Sequence, residues 1–287
     1  MLKPDARIAV VSPSGISDPE RLEAGLQVLR DWGYAPELLP HATDRHRYLA
    51  GDDDVRLADL LEAFSGRWDA VWMARGGFGL GRLLAHVKIK RLAPVPFFGF
   101  SDGTALLNAL ARRKRLAVHA PVLNALAAHN DEASRRHLRA LLATGAESLH
   151  LGTSVHPGRA TGRLMGGNLC VLASLCGTRH QLDADGAIVL LEEVGEAPYK
   201  VDRLLTQCIE SGAFDGAVGF VIGDLLDCKA NGADYEALDV IRDRLAPLRV
   251  PVLSGLAIGH GRTHLAVPLG VKATLDGDTL RVGAVQR

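Results

Sequence analysis

The sequence predicts an α/β protein in two parts: a parallel sheet covered by helices, then a smaller mixed α/β, barrel-like domain. In the first part, short strands alternate with amphipathic helices, and these strands are apolar along their whole length rather than at every second residue. The pattern then changes after a segment rich in Gly, Ser, Thr, His and Pro. We therefore expect domains over residues 1–148 and 163–287, joined by a linker over 149–162.

The first half of the chain predicts repeated strand–helix units. Ile8–Val11 is the first apolar strand, and the helix that follows, Pro19–Trp32, has leucines at helical spacing behind an N-cap at Asp18. Continuous apolar strands joined by helices indicate a parallel sheet, whose carboxyl edge would hold Ser14 and Ser101. The other elements predicted here are strands at Glu37–Leu39, Ala70–Ala74, Phe97–Phe100 and Leu116–His119, and helices beginning at Asp52 or Asp53 and at Gly103.

The second half predicts a mixture of strands and helices, from which the smaller α/β, barrel-like domain follows. Asp276-Gly277 is typical of the tight turn of a hairpin. The elements predicted here are strands at Ile188–Leu191 and Ala217–Ile222, helices at Val201–Ile209 and Tyr235–Leu245, and a hairpin over Ala273–Val282.

Composition and charge argue against several classes of partner. Lys+Arg and Asp+Glu both number 33, so the formal net charge is zero, which disfavours nucleic acid or an anionic membrane as the main partner. The amino-terminal segment has no secretory signal, and no apolar run approaches the roughly 20 residues that span a bilayer. The 4 cysteines show no Cys-x-x-Cys spacing. We therefore expect a cytoplasmic protein with reduced thiols.

The segment Gly99-Phe100-Ser101-Asp102-Gly103 lies between a predicted strand and a predicted helix. Gly-x-Ser-x-Gly in that setting places a serine on a sharp turn, where the glycines relieve clashes and the first N–H groups of the helix are unpaired. A hydroxyl presented in this way is a nucleophile for acyl transfer when a base and an acid are within reach. Ser101 is therefore the candidate nucleophile.

The chain offers more than one base and more than one acid for this serine. His260 lies between two glycines after an apolar run, and His119 ends the strand next to the serine turn. Glu192 and Glu193 end an apolar strand, and Glu196 follows shortly afterwards. A carboxylate that faces the imidazole would fix its tautomer and stabilise the imidazolium. Spacing alone leaves these choices open.

Two segments near the predicted serine turn could supply backbone N–H groups to the reaction. Stabilising an oxyanion requires preorganised N–H groups, for which Asp102 and the Gly76-Gly77 turn are candidates.

The glycines at 76–81 have a rival interpretation as a phosphate-binding loop, but they lack the Lys-Ser/Thr pair of a Walker loop and a ribose-binding acid. His260 and His264 are four residues apart, yet the flanking glycines disfavour a zinc-binding helix. We predict no metal and no other cofactor.

Six motifs follow one another along nearly the whole chain. They are Val11-Ser12-Pro13-Ser14-Gly15; Ala74-Arg75-Gly76-Gly77-Phe78-Gly79 with Arg82-Leu83-Leu84; Gly99-Phe100-Ser101-Asp102-Gly103-Thr104; Gly166-Gly167-Asn168-Leu169; Leu191-Glu192-Glu193 with Pro198 and Asp202-Arg203; and Gly259-His260-Gly261 with Pro268-Leu269-Gly270. Together they resemble the LD-carboxypeptidase family, also called muramoyltetrapeptide carboxypeptidases. Two departures are Phe78, where the family commonly has tyrosine, and Gly103, where a larger apolar residue is common.

The resemblance implies a role for each residue that matches the family's motifs. It makes Ser101 the nucleophile, His260 the general base and Glu192 the acid that orients the base. It also implies that the backbone amides of Gly77 and Asp102 form the oxyanion hole.

The resemblance further implies a fold, a reaction and an assembly. The fold is a flavodoxin-like amino-terminal domain carrying the serine and a second domain carrying the glutamate and histidine, often in a homodimer. The reaction is hydrolysis of the amide between the L-centre of a diamino acid and the terminal D-alanine of a murein tetrapeptide or related muropeptide. Arg75 is a candidate for binding the free carboxylate, and Asn168 for a hydrogen bond to the substrate.

Three alternative functions remain at this point. An immunity-type peptidase of the same family would cleave peptidyl-nucleotide antibiotics and needs an aromatic residue to stack on the nucleobase, but Trp32, Trp68 and Trp72 lie in helix or strand contexts. An α/β-hydrolase esterase shares the serine motif but would carry a His-Gly-Gly-Gly loop, which this chain lacks. A non-catalytic binding protein could use the glycine loops for a sugar or phosphate.

Overall fold

The structure, a computed structural model, describes residues 1–229, 232 and 234–285. Contacts divide the described chain into two compact units. The first comprises Met1–Ala146, Arg262–Ala266 and the end of the described chain at Val285, and the second comprises Glu147–Gly261 and Val267–Ala284. Within the described residues, we find no helix that combines the length and the apolar character needed to cross a membrane.

A parallel sheet forms the centre of the first unit. Its strands are β1 (Arg7–Val11), β2 (Ala35–Leu38), β3 (Ala70–Met73), β4 (Phe97–Gly99) and β5 (Ala117–His119). They lie in the order β2-β1-β3-β4-β5, with parallel pairing throughout. This is the strand order of flavodoxin-like sheets, in which ligands bind at the carboxyl ends of the strands. The predicted fold class is thus confirmed for this unit.

Helices cover the sheet, and its core is closely packed. Asp18 is the N-cap of the first helix, as the sequence predicts, and of the two candidates for the second helix Asp52 is the N-cap. Trp72 stacks on Phe98 with 4.5 Å between ring centroids, and it is fully buried. The helices are α1 (Pro19–Asp31), α2 (Asp53–Ala63), α3 (Leu80–Leu84), α4 (Thr104–Ala111), α5 (Leu123–Leu126) and α6 (Glu132–Thr144), with short 3-10 turns at Ile89–Arg91 and Ser101–Gly103.

The first unit also includes a distant piece of the chain, Arg262–Ala266. The Thr263 hydroxyl donates a hydrogen bond to the Asp131 carboxylate at the start of α6. The backbone N–H of His264 donates to the Ser134 hydroxyl at 2.8 Å. These bonds make 262–266 an integral part of the first unit.

The second unit is built on a mixed sheet. Its strand order is β6-β14-β13-β8-β9-β10-β11-β7, in which β8, β9, β10 and β11 are parallel neighbours and the other pairs are antiparallel. The predicted hairpin forms around Asp276-Gly277. The elements are β6 (Ser148–Leu151), β7 (Thr153–His156), β8 (Arg159–Asn168), β9 (Ala187–Val194), β10 (Gly219–Leu226), β11 (Val252–Ser254), β12 (Val267–Leu269), β13 (Lys272–Asp276), β14 (Thr279–Val282), α7 (Leu169–Ser174), α8 (Pro198–Glu210), α9 (Ala237–Leu245) and a 3-10 turn at Ala246–Leu248.

The outer strands of this sheet lie in the stretch 149–162, which the sequence indicates as a linker. β6 and β7 are at opposite ends of the strand order, yet only Gly152 separates them along the chain. Because successive Cα atoms are about 3.8 Å apart, the sheet must curl until its two edges come close together. The second unit is therefore barrel-like, and most of residues 149–162 lie in strands of its sheet.

Candidate active site

Ser101 occupies a sharp turn between β4 and α4. After Gly99 the chain passes through extended Phe100 into the 3-10 turn Ser101–Gly103, and α4 starts at Thr104. The φ angle of Ser101 is +58°, in the left-handed region that residues other than glycine adopt rarely. A serine held in this conformation between a strand and a helix has the backbone geometry of a nucleophile turn.

The glycines around Ser101 are required by close contacts. A Cβ atom at Gly76 would lie 2.9 Å from both Cβ and Oγ of Ser101, so only glycine lets this turn approach the serine side chain. A Cβ at Gly99 or at Gly103 would lie 2.6 Å from the Met73 sulfur. Met73 thus fills the space that a larger residue at Gly103 would need.

The turn at Gly76-Gly77 lies beside the serine. The Gly76 carbonyl accepts a hydrogen bond from the backbone N–H of Gly15 at 3.0 Å, which joins the turn to the loop after β1. Gly77 has φ +106° and is exposed, a conformation that favours glycine. This arrangement leaves the turn open to solvent next to Ser101.

The Asp102 side chain ties the serine turn to two neighbouring segments. Its carboxylate is buried and accepts hydrogen bonds from the Ser14 hydroxyl at 2.6 Å and from the Leu80 backbone N–H at 2.8 Å. Burial raises the pKa of Asp102, although these two hydrogen bonds and the charge of Arg56 oppose the rise. Sequence reasoning assigned only the backbone N–H of Asp102 and missed this role of its side chain.

Arg56, which the sequence analysis did not single out, supports the loop that carries Ser14. Its side chain is fully buried, and it donates hydrogen bonds to the carbonyls of Pro13 and Gly51 and forms an ion pair with Asp53. Burial lowers the pKa of Arg56, and the neighbouring Asp53 opposes this shift. The buried guanidinium thus provides a donor for two backbone carbonyls.

We expect Arg56→Met to lower the free energy of unfolding by about 2–4 kcal/mol, because the Pro13 and Gly51 carbonyls lose their donor. Urea unfolding measures the change as a lower midpoint with an unchanged slope. Arg82→Met is the matched control, since Arg82 pairs with the same Asp53 from an exposed position and should alter the midpoint little. Equal midpoints for the two variants would contradict this role of Arg56.

In the second unit, Glu192 and His260 form a close pair. Glu192 lies near the end of β9 and is fully buried, and its Oε2 accepts a hydrogen bond from Nδ1 of His260 at 2.6 Å. A carboxylate can only accept, so Nδ1 carries the proton and Nε2 of the neutral ring keeps its lone pair. This is the tautomer that a general base needs.

The surroundings of His260 favour its protonated form. Burial lowers the pKa of His260, but the hydrogen bond to Glu192 and the charges of Glu192, Glu193 and Asp224 outweigh burial and raise the net pKa. Gly259, with φ +138°, allows this pairing, since a Cβ there would lie 2.8 Å from the Glu192 Oε2. The imidazole is therefore prepared to accept a proton.

Glu193, the neighbouring acid, has different partners. Its carboxylate accepts hydrogen bonds from Asn168 Nδ2 at 3.0 Å and from the backbone N–H of Cys170 at 2.7 Å and of Val194 at 2.9 Å. Burial raises its pKa, and the same hydrogen bonds oppose the rise. Because adjacent strand residues face opposite sides, one acid meets His260 and the other meets the start of α7.

The remaining predicted residues are distributed over both units. In the first, Arg75 is exposed and donates to the Ile16 carbonyl, and His119 is fully buried with Nδ1 3.0 Å from Nε2 of His264. In the second, Asn168 caps α7 by accepting from the Val171 N–H at 3.1 Å. Of the predicted site, Ser101, Gly77, Asp102 and Arg75 belong to the first unit, and Glu192, His260 and Asn168 to the second.

Both parts of the chain match domains of a known protein family. Residues 8–120 match the LD-carboxypeptidase N-terminal domain and residues 161–275 the LD-carboxypeptidase C-terminal domain. A putative carboxypeptidase of Streptomyces coelicolor is 43% identical, over 97% of this chain and 93% of its own. A murein tetrapeptide carboxypeptidase of Pseudomonas aeruginosa is 36% identical, over 96% of this chain and 95% of its own.

Solved structures share the fold. The muramoyltetrapeptide carboxypeptidase of Oxalobacter formigenes superposes with a TM-score of 0.86 at 25% identity, covering 98% of this chain and all of its own. The microcin C7 self immunity protein MccF superposes with a TM-score of 0.88 at 20% identity, covering 99% of this chain and 97% of its own, a likeness of fold alone. The matches along both halves identify the chain as a serine-type peptidase of the LD-carboxypeptidase family.

Proposed function

We propose that this enzyme removes the terminal D-alanine from murein tetrapeptides by hydrolysing its amide to the L-centre of a diamino acid, in cell-wall recycling. The observation that carries the proposal is the hydrogen bond of 2.6 Å between the buried Glu192 carboxylate and Nδ1 of His260, which fixes the tautomer whose basic nitrogen is Nε2. The names of the Pseudomonas and Oxalobacter relatives support the choice of substrate. We expect the enzyme to act in the cytoplasm as a homodimer.

The proposed reaction proceeds through an acyl-enzyme. His260 Nε2 takes the proton of the Ser101 hydroxyl as its oxygen attacks the carbonyl carbon, and the carbonyl electrons move onto the oxygen. The backbone N–H groups of Gly77 and Asp102 stabilise this oxyanion. As the tetrahedral intermediate collapses, the C–N bond breaks and His260 returns the proton to the departing amine of D-alanine.

Water completes the cycle in the same manner. His260 removes a proton from a water molecule, whose oxygen attacks the ester carbon of the acyl-enzyme, and the Ser101 oxygen then leaves with that proton. Glu192 stabilises the imidazolium in both halves of the reaction without being protonated itself. The chemistry as written uses side chains and backbone N–H groups alone.

Recognition of the substrate's free carboxylate is assigned to Arg75. A guanidinium has five N–H donors, so its bond to the Ile16 carbonyl leaves donors for a carboxylate. Asn168 uses its Oδ1 and one amide N–H within the second unit. The side-chain amide of Asn168 is the predicted contact with the substrate.

The test is release of free D-alanine by the purified enzyme, with the murein pentapeptide as specificity control. We expect release from the tetrapeptide and little from the pentapeptide, whose terminal bond joins two D-residues. Cleavage of a peptidyl-nucleotide without release of D-alanine would favour the immunity-type activity. Turnover of p-nitrophenyl esters without peptide cleavage would favour an esterase, and loss of activity on zinc chelation would contradict the metal-free mechanism.

A further inference from the structure

The loop that carries His260 runs along an irregular part of β10. The pairing of β10 with β9 shifts register between Ile222 and Leu225, so the strand bulges at the two residues between them. There the backbone N–H of Asp224 donates to the Ile258 carbonyl at 2.9 Å. Bulges of this kind redirect a side chain and are frequent beside active sites.

The bulge directs the Asp224 carboxylate to the backbone next to His260. Its Oδ2 accepts a hydrogen bond from the N–H of Gly261 at 2.9 Å. A Cβ at Gly261 would lie 2.8 Å from the same oxygen, and a Cβ at Gly259 would lie 3.2 Å from the Cβ of Asp224. Both glycines of the Gly-His-Gly motif are therefore needed for the chain to pass this aspartate.

The negative groups that act on His260 come from two strands. Glu192 and Glu193 lie on β9, and Asp224 lies on β10. Glu192 binds the ring itself, whereas Glu193 is engaged with Asn168. Asp224 is the acid of this group that binds the backbone of the loop.

We propose that Asp224 is a second positioning residue for His260, holding the Gly261 backbone so that the loop presents the imidazole at a fixed angle and adding negative charge beside the imidazolium. Glu192 fixes one ring nitrogen of His260. The Asp224 carboxylate fixes the backbone immediately after the ring, through the N–H of Gly261. The proposal rests on the proposed role of His260 as general base.

Two substitutions separate the hydrogen bond of Asp224 from its charge. Asp224→Asn keeps an oxygen that can accept from Gly261 but removes the charge, so the pKa of His260 should fall and the acid limb of kcat/KM should move to lower pH. Asp224→Ala removes both, and we expect kcat to fall about 10- to 100-fold with KM little changed, because the base is no longer held in place. Asp227→Asn is the matched control, an exposed acid three residues further on.

The pKa of His260 is read directly from its imidazole NMR signals, assigned with His260→Gln, and kcat and KM from D-alanine release. A His260 titration and a pH profile in Asp224→Asn that equal those of Asp227→Asn would overturn the proposal. If Asp224→Ala proves unfolded by circular dichroism, Asp224→Asn alone decides. A wild-type enzyme that releases no D-alanine would instead refute the proposed function, while the NMR titration would still report whether Asp224 acts on His260.

Discussion

Ser101→Ala is expected to lower kcat for D-alanine release by about 10,000-fold or more, because the oxygen that forms the acyl-enzyme is gone. The remaining groups can still bind the peptide and stabilise an oxyanion, so KM should change little. The variant should fold normally, since alanine at φ +58° is no more strained than the serine it replaces. Coupled assay of free D-alanine under single-turnover conditions measures the loss.

Ser65→Ala provides the matched control for this variant. Ser65 is an exposed serine of the same unit, so its loss should leave kcat unchanged. Mass spectrometry adds a second measurement, because a slowly hydrolysed substrate analogue should leave an acyl adduct on the wild type and on Ser65→Ala only. D-alanine release by Ser101→Ala at the wild-type rate would refute the nucleophile assignment.

Glu192→Gln should have the next largest effect, a fall in kcat of about 1,000- to 10,000-fold. The amide can donate its N–H to Nδ1 of His260, which moves the ring proton to Nε2 and leaves no lone pair to accept the proton of Ser101. The charge that raises the pKa of His260 is also lost. The acid limb of the residual activity should therefore lie at lower pH than that of the wild type.

The sign of this pH effect follows from the state of the base. His260 must be neutral to act, so activity rises with pH through its pKa, and a lower pKa brings that rise to lower pH. Glu210→Gln, at the exposed end of α8, is the control and should leave both kcat and the profile unchanged. A Glu192→Gln variant with wild-type kcat and an unmoved acid limb would refute the pairing as a catalytic feature.

The parallel sheet was the most predictable part of the fold. Its strands are buried on both faces, so β1, β3, β4 and β5 show as apolar runs in the sequence, and Asp18 marks the start of α1. Helix α6, absent from our prediction, has a recognisable N-cap at Asp131 and leucines at helical spacing. The signal for that helix was present in the sequence.

The outer strands of the second sheet could not be predicted in the same way. β6 pairs with β14, and β7 pairs with β11, across long separations in sequence. Their residues include serine, threonine and histidine, which give no apolar run, so the pairing is decided by partners far along the chain. Local pattern therefore indicated a linker where the structure has strands.

The candidate site was predictable in its parts but not in its contacts. The motif around Ser101 and the glycines around His260 are visible in the sequence. The two-residue period of a strand shows that Glu192 and Glu193 face opposite sides, but not which of them meets His260. Asp224 could not be found, because its position depends on a bulge that the sequence does not mark.

The return of Arg262–Ala266 to the first unit has a consequence for protein engineering. A fragment that stops at Ala146 lacks the segment whose Thr263 and His264 bond to Asp131 and Ser134, so it leaves the start of α6 without those partners. Chimaeras that exchange the amino-terminal half between relatives should therefore transfer the segment Arg262–Ala266 together with that half.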